Sequence, residues 1–182
     1  MQKSIIKGLG YYVPENVVTN EDLTKMMDTS DEWIRERTGI EERRWVNDNK
    51  LSTSLMGTFA AEKAIKNANI DKNDIDFIIF ATLSPDYYFP GSGVLLQRNL
   101  EIKEVGALDV RNQCSGFVYA LSIADQYIKS GMYKNILVVG SEIHSGALDK
   151  TSRGRSVSVI FGDGAGAAVI SASNDAVSYT HL

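Results

Sequence analysis

A single cysteine is the residue in this sequence best placed for covalent chemistry. Cys114 lies in the segment DVRNQCSGFVYAL (109–121), between a short strand-like run and a long apolar run. The pattern predicts a strand that ends just before the cysteine and a helix that begins just after it. The first turn of a helix presents unpaired N–H groups and a partial positive charge. These groups stabilise a thiolate, and they can hold the oxyanion that forms when sulfur attacks a carbonyl group.

The small residues that follow the cysteine, Ser115 and Gly116, leave room for a substrate to reach the sulfur. A cysteine at the tip of a strand-to-helix turn is similar in physical logic to a nucleophile elbow. The alternative is inert packing, because free cysteines are among the most buried residues in proteins. Position and neighbours alone leave these two interpretations equally open.

The predicted helix after the cysteine is unusually apolar. The stretch FVYALSIA (117–124) has one polar position, and polarity returns only from Asp125 onward. A helix on a protein surface shows a polar face, so this pattern predicts that the first half of the helix is surrounded by protein. We therefore expect Cys114 at the buried end of an enclosed helix.

Length and composition restrict the class of protein. The 182 residues, 43% of them hydrophobic, predict one globular domain over 1–182. No apolar run approaches the ~20 residues that cross a bilayer, and no signal peptide is recognisable. One cysteine excludes an internal disulfide and a zinc site with two cysteine ligands. The net charge of −4 argues against a generic nucleic-acid binder. We expect a cytoplasmic protein that binds neither membrane nor nucleic acid and holds no metal.

Runs of apolar residues and helix-capping signals alternate along the chain. KSIIKGLG (3–10) predicts a first strand, and three runs that are apolar at successive positions predict strands at 76–82, 105–110 and 135–140. Cap and stop residues predict helices that begin near Asn20 and cover 30–37, 52–69, 92–99 and 115–130. This alternation predicts a layered α/β fold with right-handed crossovers.

The last part of the sequence has a different pattern. SVSVIF (156–161) and AAVISAS (167–173) predict two strands joined by the glycine-rich turn GDGAG (162–166). These glycines precede a predicted strand rather than a helix, so the segment is not a dinucleotide-binding fingerprint.

Three segments resemble the signatures of the 3-oxoacyl-[acyl-carrier-protein] synthase III family. They are DVRNQCSGFVYAL, DTSDEWIRERTGIEERR (28–44) and IFGDGAGAAV (160–169). The resemblance runs from Ile5 to the C-terminus. It implies a thiolase-like fold of two similar halves, with 1–182 as the N-terminal half. That half is expected to be a layered α/β structure with a mixed, mostly parallel sheet and a buried nucleophile helix.

The resemblance also implies an activity. In this family an acyl-CoA transfers its acyl group to the cysteine, malonyl-acyl-carrier protein loses carbon dioxide, and the resulting carbanion attacks the thioester. Cys114 would then be the nucleophile of a condensing acyltransferase that initiates fatty acid synthesis. The implied partners are acyl-CoA as a substrate, with no separate cofactor, acyl carrier protein, and a second copy of the chain in a homodimer.

The same resemblance assigns positions that contact the coenzyme. They are Thr29, Trp33, Arg37, Arg153 and Gly154. Trp33 would stack on the adenine, and Thr29 would contribute a hydrogen bond. An indole suits a purine and guanidinium groups suit phosphates, although a core tryptophan with solvated arginines is the alternative. Phe89 is assigned to the acyl pocket of the partner subunit.

Two residues of the family's site have no counterpart in the sequence. The family uses a histidine and an asparagine from its C-terminal half, whereas the histidines here, His144 and His181, match neither position. We interpret both as incidental. We expect the second half to exist as a separate chain, or this sequence to be a fragment that is inactive alone. Either way, a lone half would leave a large apolar face open.

One departure from the family leaves the substrate open. Asn112 and Gln113 precede the cysteine where small residues are usual, and Tyr87 and Tyr88 precede Phe89. The alternatives are therefore a thiolase-fold acyltransferase with another acyl primer or acceptor, and a non-catalytic module for CoA binding or assembly. A cysteine hydrolase would require a histidine near Cys114, and no motif indicates one.

Overall fold

A computed structural model describes residues 2–47 and 50–173 of the chain. The strands in these ranges are β1 (Lys3–Tyr12), β2 (Val17–Thr19), β3 (Glu42–Arg44), β4 (Phe77–Ala81), β5 (Gly106–Val110), β6 (Asn135–Glu142) and β7 (Gly164–Ser173). The α-helices are α1 (Asn20–Thr24), α2 (Asp31–Thr38), α3 (Thr53–Ala68), α4 (Ser92–Leu100), α5 (Gly116–Lys129) and α6 (Arg155–Ser158). No helix in these ranges combines the length and the apolar composition that a membrane crossing requires.

The main sheet has five strands in the order β1-β7-β6-β4-β5. β4 pairs in parallel with β5 and β6, whereas β7 runs antiparallel to β6 and β1. Only β7 is therefore reversed, and the sheet is mixed and mostly parallel. The predicted layered α/β fold is confirmed.

Helices cover both faces of this sheet. In β4, Ile78 and Phe80 contact the cluster that contains α3 and α4 residues, while Ile79 contacts the cluster of α5 residues. All three side chains are fully buried. This arrangement explains why the predicted strands are apolar at successive positions, because both faces of each strand need apolar contacts.

The predicted helix boundaries follow from local capping. The Ser30 hydroxyl accepts a hydrogen bond from the Trp33 amide at 3.1 Å, and Gly39 ends α2 in the left-handed conformation with φ 71°. Ser52 caps α3 in the same way, and Asn69 ends it with φ 53°. Glycine and asparagine adopt this conformation at low cost, so both helices stop where the sequence predicts.

A smaller layer joins β2, β3, α1, α2 and α6. The buried Arg43 side chain donates hydrogen bonds to the Val18 carbonyl, the Asn20 side chain and the Val159 carbonyl. Burial lowers the pKa of Arg43 from its ordinary value. These bonds hold the end of α6 against the other elements of this layer. The sequence analysis predicted neither β2 nor β3.

The predicted strand at 156–161 is wrong. Residues Arg155–Ser158 form α6, and the Val159 and Ile160 amides bond to the Arg155 and Val157 carbonyls in a continuing turn. Val159 is buried, whereas Val157 and Ile160 are about half exposed. These local hydrogen bonds override the strand propensity of the branched residues. The predicted glycine-rich turn is also wrong in part, because Gly164 and Gly166 lie within β7.

The expectation that α5 is enclosed is wrong for the described chain. Ala120, Ala124 and Ile128 are buried against the sheet, but Val118 is 61% exposed and Tyr119 is 55% exposed. Cys114 is exposed as well. The helix is apolar on two faces and the described residues cover only one, so an open apolar face, as predicted, is present in the described part of the chain.

Candidate active site

The chain makes a tight turn at Cys114. The Ser115 amide donates to the Gln113 carbonyl at 2.6 Å, and Cys114 between them has φ 55°. A positive φ is unfavourable for a residue with a side chain, and such strain persists mainly at functional sites. The predicted turn between β5 and α5, with the cysteine at its tip, is confirmed.

The first turn of α5 lacks a side-chain cap from its own N-cap residue. Ser115 occupies the N-cap position but makes no capping hydrogen bond. Instead, the Asn112 amide donates to the Ser115 hydroxyl at 2.7 Å, and that hydroxyl contacts the Gln113 carbonyl at 3.2 Å. The positive end of the helix is thus left free of a side-chain acceptor beside Cys114, where a thiolate or an oxyanion would gain most.

A cavity of about 410 Å³ opens beside Cys114. Its apolar walls include Phe117, Leu148 and Phe161, and its polar walls include Asn112, Gln113, Glu142 and His144. Because the thiol is exposed and borders this space, a substrate can reach it. The interpretation of Cys114 as inert packing in the core is excluded by this exposure.

Glu142, at the end of β6, fixes one wall of the cavity. Its carboxylate accepts hydrogen bonds from the Leu83 amide at 2.8 Å, the Ser84 amide at 3.1 Å and the Ser84 hydroxyl at 2.6 Å. The Thr82 hydroxyl donates a further bond at 3.2 Å. The carboxylate thereby ties the segment after β4 to the end of β6.

His144 lies on the same wall, although the sequence interpretation treated it as incidental. Its Nε2 atom is 4.0 Å from a Glu142 carboxylate oxygen, and its ring packs edge-on against Phe161 at 5.0 Å between centroids. Thr82, Cys114 and His144 all follow the carboxyl ends of parallel strands, where ligands bind in open α/β sheets. That position was the sequence signal for His144. His181 lies outside the described residues.

Asp163 holds the loop that carries His144. Its buried carboxylate accepts hydrogen bonds from the His144 amide at 2.8 Å and the Ser145 amide at 2.9 Å. The Val46 amide and the Ser145 hydroxyl bond to the other carboxylate oxygen. The aspartate of the GDGAG segment therefore supports the cavity wall.

The structure brings the predicted coenzyme-contacting segments together. The Asp28 amide donates to the Ser152 hydroxyl at 2.9 Å, which joins the start of α2 to the segment that carries Arg153 and Gly154. Gly154 is required for close packing, because an added Cβ atom would lie 2.0 Å from the Asp149 carbonyl oxygen. Among the described residues, the Thr29 hydroxyl is one of the buried polar atoms without a hydrogen-bond partner.

Trp33 is partly exposed and flanked by two guanidinium groups. The Cζ atom of Arg37 is 4.5 Å from the centre of its ring, and that of Arg155 is 4.3 Å away. Arg153, in contrast, is 89% exposed and paired with Asp149 at 2.8 Å. The sequence analysis missed Arg155, because its proximity to Trp33 depends on the tertiary fold.

Phe89 does not line the Cys114 cavity of its own chain. It is 92% exposed, and Tyr88 beside it is 90% exposed. The Arg111 guanidinium lies 4.8 Å from the Tyr88 ring centre, which links this loop to the segment that precedes Cys114. Such exposed aromatic side chains favour contact with another chain.

Among the described residues, no group of three or more His, Cys, Asp or Glu side chains is arranged to hold a metal ion. The exposed Cys114 thiol at the cavity, next to the positive end of α5, points to covalent chemistry at the sulfur.

Comparison with known proteins agrees with this geometry. A family model described as 3-oxoacyl-[acyl-carrier-protein (ACP)] synthase III matches residues 108–181. The beta-ketoacyl-[acyl-carrier-protein] synthase III of Ehrlichia canis is 52% identical over 96% of this chain and 54% of its own length. That of Fusobacterium nucleatum is 51% identical over 93% of this chain and 51% of its own length. The chain spans about half the length of the curated relatives it matches.

Solved structures give the same result. The 3-oxoacyl-[acyl-carrier-protein] synthase III of Aquifex aeolicus aligns with a TM-score of 0.90 and 49% identity, over 96% of this chain and 55% of that one. The priming beta-ketosynthase from the R1128 polyketide pathway aligns with a TM-score of 0.90 and 34% identity, over 96% of this chain and 51% of that one. The fold is therefore thiolase-like. The chain is a relative of the 3-oxoacyl-[acyl-carrier-protein] synthase III enzymes and corresponds to about half of their length.

Proposed function

We propose that the chain is the nucleophile-bearing part of a condensing acyltransferase that initiates fatty acid synthesis. It would load an acyl group from acyl-CoA onto Cys114 and condense it with malonyl-acyl-carrier protein. The observation that carries this proposal is the strained turn that places Cys114 at the uncapped start of α5, beside an open cavity. The similarity to enzymes of that activity supports it.

The loading step follows from this geometry. The Cys114 thiolate attacks the thioester carbonyl of acyl-CoA, and the first amides of α5 hold the negative charge that develops on oxygen. The bond from carbon to the coenzyme sulfur then breaks, and the coenzyme thiolate takes up the proton that Cys114 lost. The product is an acyl-thioester on Cys114.

In the condensing step, malonyl-acyl-carrier protein loses carbon dioxide, and the carbanion attacks the acyl carbonyl on Cys114. A new carbon–carbon bond forms and the Cys114 thiolate leaves. We propose that the histidine and asparagine of the family, which assist this step, come from residues outside the printed sequence. The open apolar face of α5 at Val118 and Tyr119 supports a second half that packs there.

The proposed assembly is a homodimer in the cytoplasm. The exposed Phe89 would line the acyl pocket of a second copy, as the resemblance implies. An exposed free thiol at Cys114 suits a reducing compartment, which supports the cytoplasmic location. Thr29, Trp33, Arg37, Arg153 and Gly154 remain the proposed coenzyme-contacting residues.

Intact mass spectrometry of the complete enzyme, with this chain and its proposed second half together, tests the loading step. Incubation with acetyl-CoA or longer acyl-CoA substrates should add one acyl group, and Cys114→Ala should add none. Ser122→Ala, which changes an exposed residue of the same helix, is the matched control and should be loaded like the wild type. Absence of an adduct with every acyl-CoA tested would contradict the proposal.

A second candidate is acyl transfer from Cys114 to another acceptor, without decarboxylation. The polar side chains of Gln113 and His144 in the cavity wall favour this candidate over a purely apolar acyl chamber. Release of carbon dioxide from malonyl-acyl-carrier protein by the complete enzyme would support condensation. Acyl turnover without that release would support the second candidate.

A further inference from the structure

The arginines around Trp33 differ in what compensates their charge. Arg153 donates from Nε to the Asp149 carboxylate at 2.8 Å. Among the described residues, Arg37 bonds only within α2, to the Trp33 carbonyl at 3.3 Å and to Glu36 at 3.5 Å. Arg155 donates to the Asp28 carbonyl at 2.8 Å and, in the part of the chain that the structure describes, pairs with no carboxylate. Its positive charge is therefore available to an anionic ligand.

Two contacts hold the Arg155 guanidinium in place. Its guanidinium stacks 4.3 Å from the Trp33 ring centre and is also bonded to Asp28. The Ser152 hydroxyl accepts a bond from the Asp28 amide, so the segment before Arg155 is tied to the same point. A cation held in place before binding loses less conformational entropy when a ligand arrives.

We propose that Arg155 is a phosphate-binding residue of the coenzyme site, with its guanidinium paired to a phosphate of acyl-CoA next to Trp33. This inference rests on the proposed function. A guanidinium pairs with phosphate through two parallel N–H donors and can stack on an aromatic ring at the same time. Arg155 meets both conditions here, whereas the Arg153 charge is already compensated by Asp149.

The arrangement also indicates how the adenine reaches the indole. Both guanidinium groups lie within 4.5 Å of the ring centre, so a stacked purine must displace one of them. Arg37 bonds only to its own helix, whereas Arg155 is bonded to the separate Asp28 segment. The purine therefore replaces Arg37, and Arg155 stays against Trp33 and binds the phosphate.

Matched ligands and matched variants test this inference. Isothermal titration would compare CoA, adenosine 3′,5′-bisphosphate and adenosine on the wild type, Arg155→Gln and the control Arg35→Gln. Arg155→Gln loses a charge-assisted bond to phosphate. Its affinity for CoA and for the bisphosphate should therefore fall about tenfold, and its affinity for adenosine should stay unchanged. Arg35→Gln removes the same charge from an exposed position on α2 and should lower the affinity for CoA less than about threefold, because Arg35 is paired with Asp31 and Glu41.

Four results would overturn the inference. Equal CoA affinity of Arg155→Gln and the wild type would overturn it and leave CoA binding intact. Equal losses of CoA affinity in Arg155→Gln and Arg35→Gln would show that net charge alone acts. A parallel loss for adenosine would show that Arg155 only supports the fold. Failure of the wild type to bind CoA would overturn both this inference and the proposed acyl donor. Arg155→Lys, which keeps charge and volume, should retain an intermediate affinity and serves if Arg155→Gln does not fold.

Discussion

The Gln113 carbonyl accepts a hydrogen bond from the Ser115 amide at 2.6 Å, and this contact forces the residue between them, Cys114, into a positive φ of 55°. The turn presents the sulfur at the start of α5 at the expense of backbone strain. The surrounding structure keeps Cys114 in this strained conformation. The strain lowers the local stability of the turn, and the same conformation positions the nucleophile for reaction.

Removing that strain should stabilise the protein. Glycine adopts a positive φ far more readily than residues with a Cβ atom, and Cys114 is exposed, so little burial is lost on its replacement. We expect Cys114→Gly to be more stable than Cys114→Ala by about 1 kcal/mol, because alanine keeps the strained conformation. Urea unfolding of the two variants measures this difference, and neither should accept an acyl group. Equal stabilities would show that the turn is unstrained.

Asp163, which supports the cavity wall, should destabilise the protein when one of its two acceptor oxygens is replaced by an NH₂ group. Each oxygen of the Asp163 carboxylate accepts two hydrogen bonds, from the His144 and Ser145 amides on one side and from Val46 and Ser145 on the other. Asp163→Asn places an NH₂ group against at least one backbone amide donor in either orientation, the His144 and Ser145 amides in one and the Val46 amide in the other. We expect a loss of about 2–3 kcal/mol in the free energy of unfolding.

Glu62→Gln is the matched control for this prediction, because it also converts a carboxylate to an amide but lies exposed on α3. We expect it to change stability by less than about 0.5 kcal/mol. If Asp163→Asn were as stable as Glu62→Gln in urea unfolding, the four bonds to Asp163 would not support the loop that carries His144.

Much of the fold could be predicted from adjacent residues. Ser30 and Gly39 determine the ends of α2, and the apolar runs at 76–82 and 135–140 form strands covered on both faces. Capping and double burial depend on short stretches of sequence, so local patterns suffice. The same reasoning failed at 156–161, where hydrogen bonds within a turn override the strand propensity of valine and isoleucine.

The candidate site was predicted less completely, because its remaining parts meet only in the tertiary fold. Cys114 was identifiable from its place between a strand and a helix. Arg155, in contrast, bonds to Asp28 across 127 residues, and His144 reaches the Cys114 cavity from the end of β6. No local pattern marks such contacts. The position of His144 after a parallel strand was the available signal.

The Asp149 carboxylate should make stability depend on acid pH. Hydrogen bonds from the Thr151 hydroxyl and the Arg153 guanidinium lower its pKa from 3.8 to about 2. A folded-state pKa below the ordinary value means that the stabilisation is present above pH 3.8 and is lost as the pH falls towards about 2. The wild type should therefore lose stability more steeply over this window than Asp149→Asn.

Asp22→Asn is a useful companion variant. The Lys25 side chain and Thr19 lower the pKa of Asp22 to about 2, so its replacement should flatten the same part of the pH profile. Only Asp149→Asn should also change the affinity for CoA, because it leaves the Arg153 charge uncompensated in the proposed coenzyme site. Urea midpoints measured across the window check the first expectation and titration with CoA checks the second. If the stability of Asp149→Asn fell with pH as steeply as that of the wild type, the lowered pKa of Asp149 would be contradicted.

Replacement of Phe89 separates a role in a partner subunit from a role in folding. Because this side chain is 92% exposed and does not line its own chain's cavity, Phe89→Ala should change the free energy of unfolding by less than about 0.5 kcal/mol. If Phe89 lines the acyl pocket of a second copy, the same variant should change which acyl-CoA loads Cys114 fastest in the dimer. Tyr88→Ala is the matched control, because Tyr88 is equally exposed but stacks on Arg111 of its own chain. Acyl selectivity that is identical in Phe89→Ala and the wild type would remove Phe89 from the pocket.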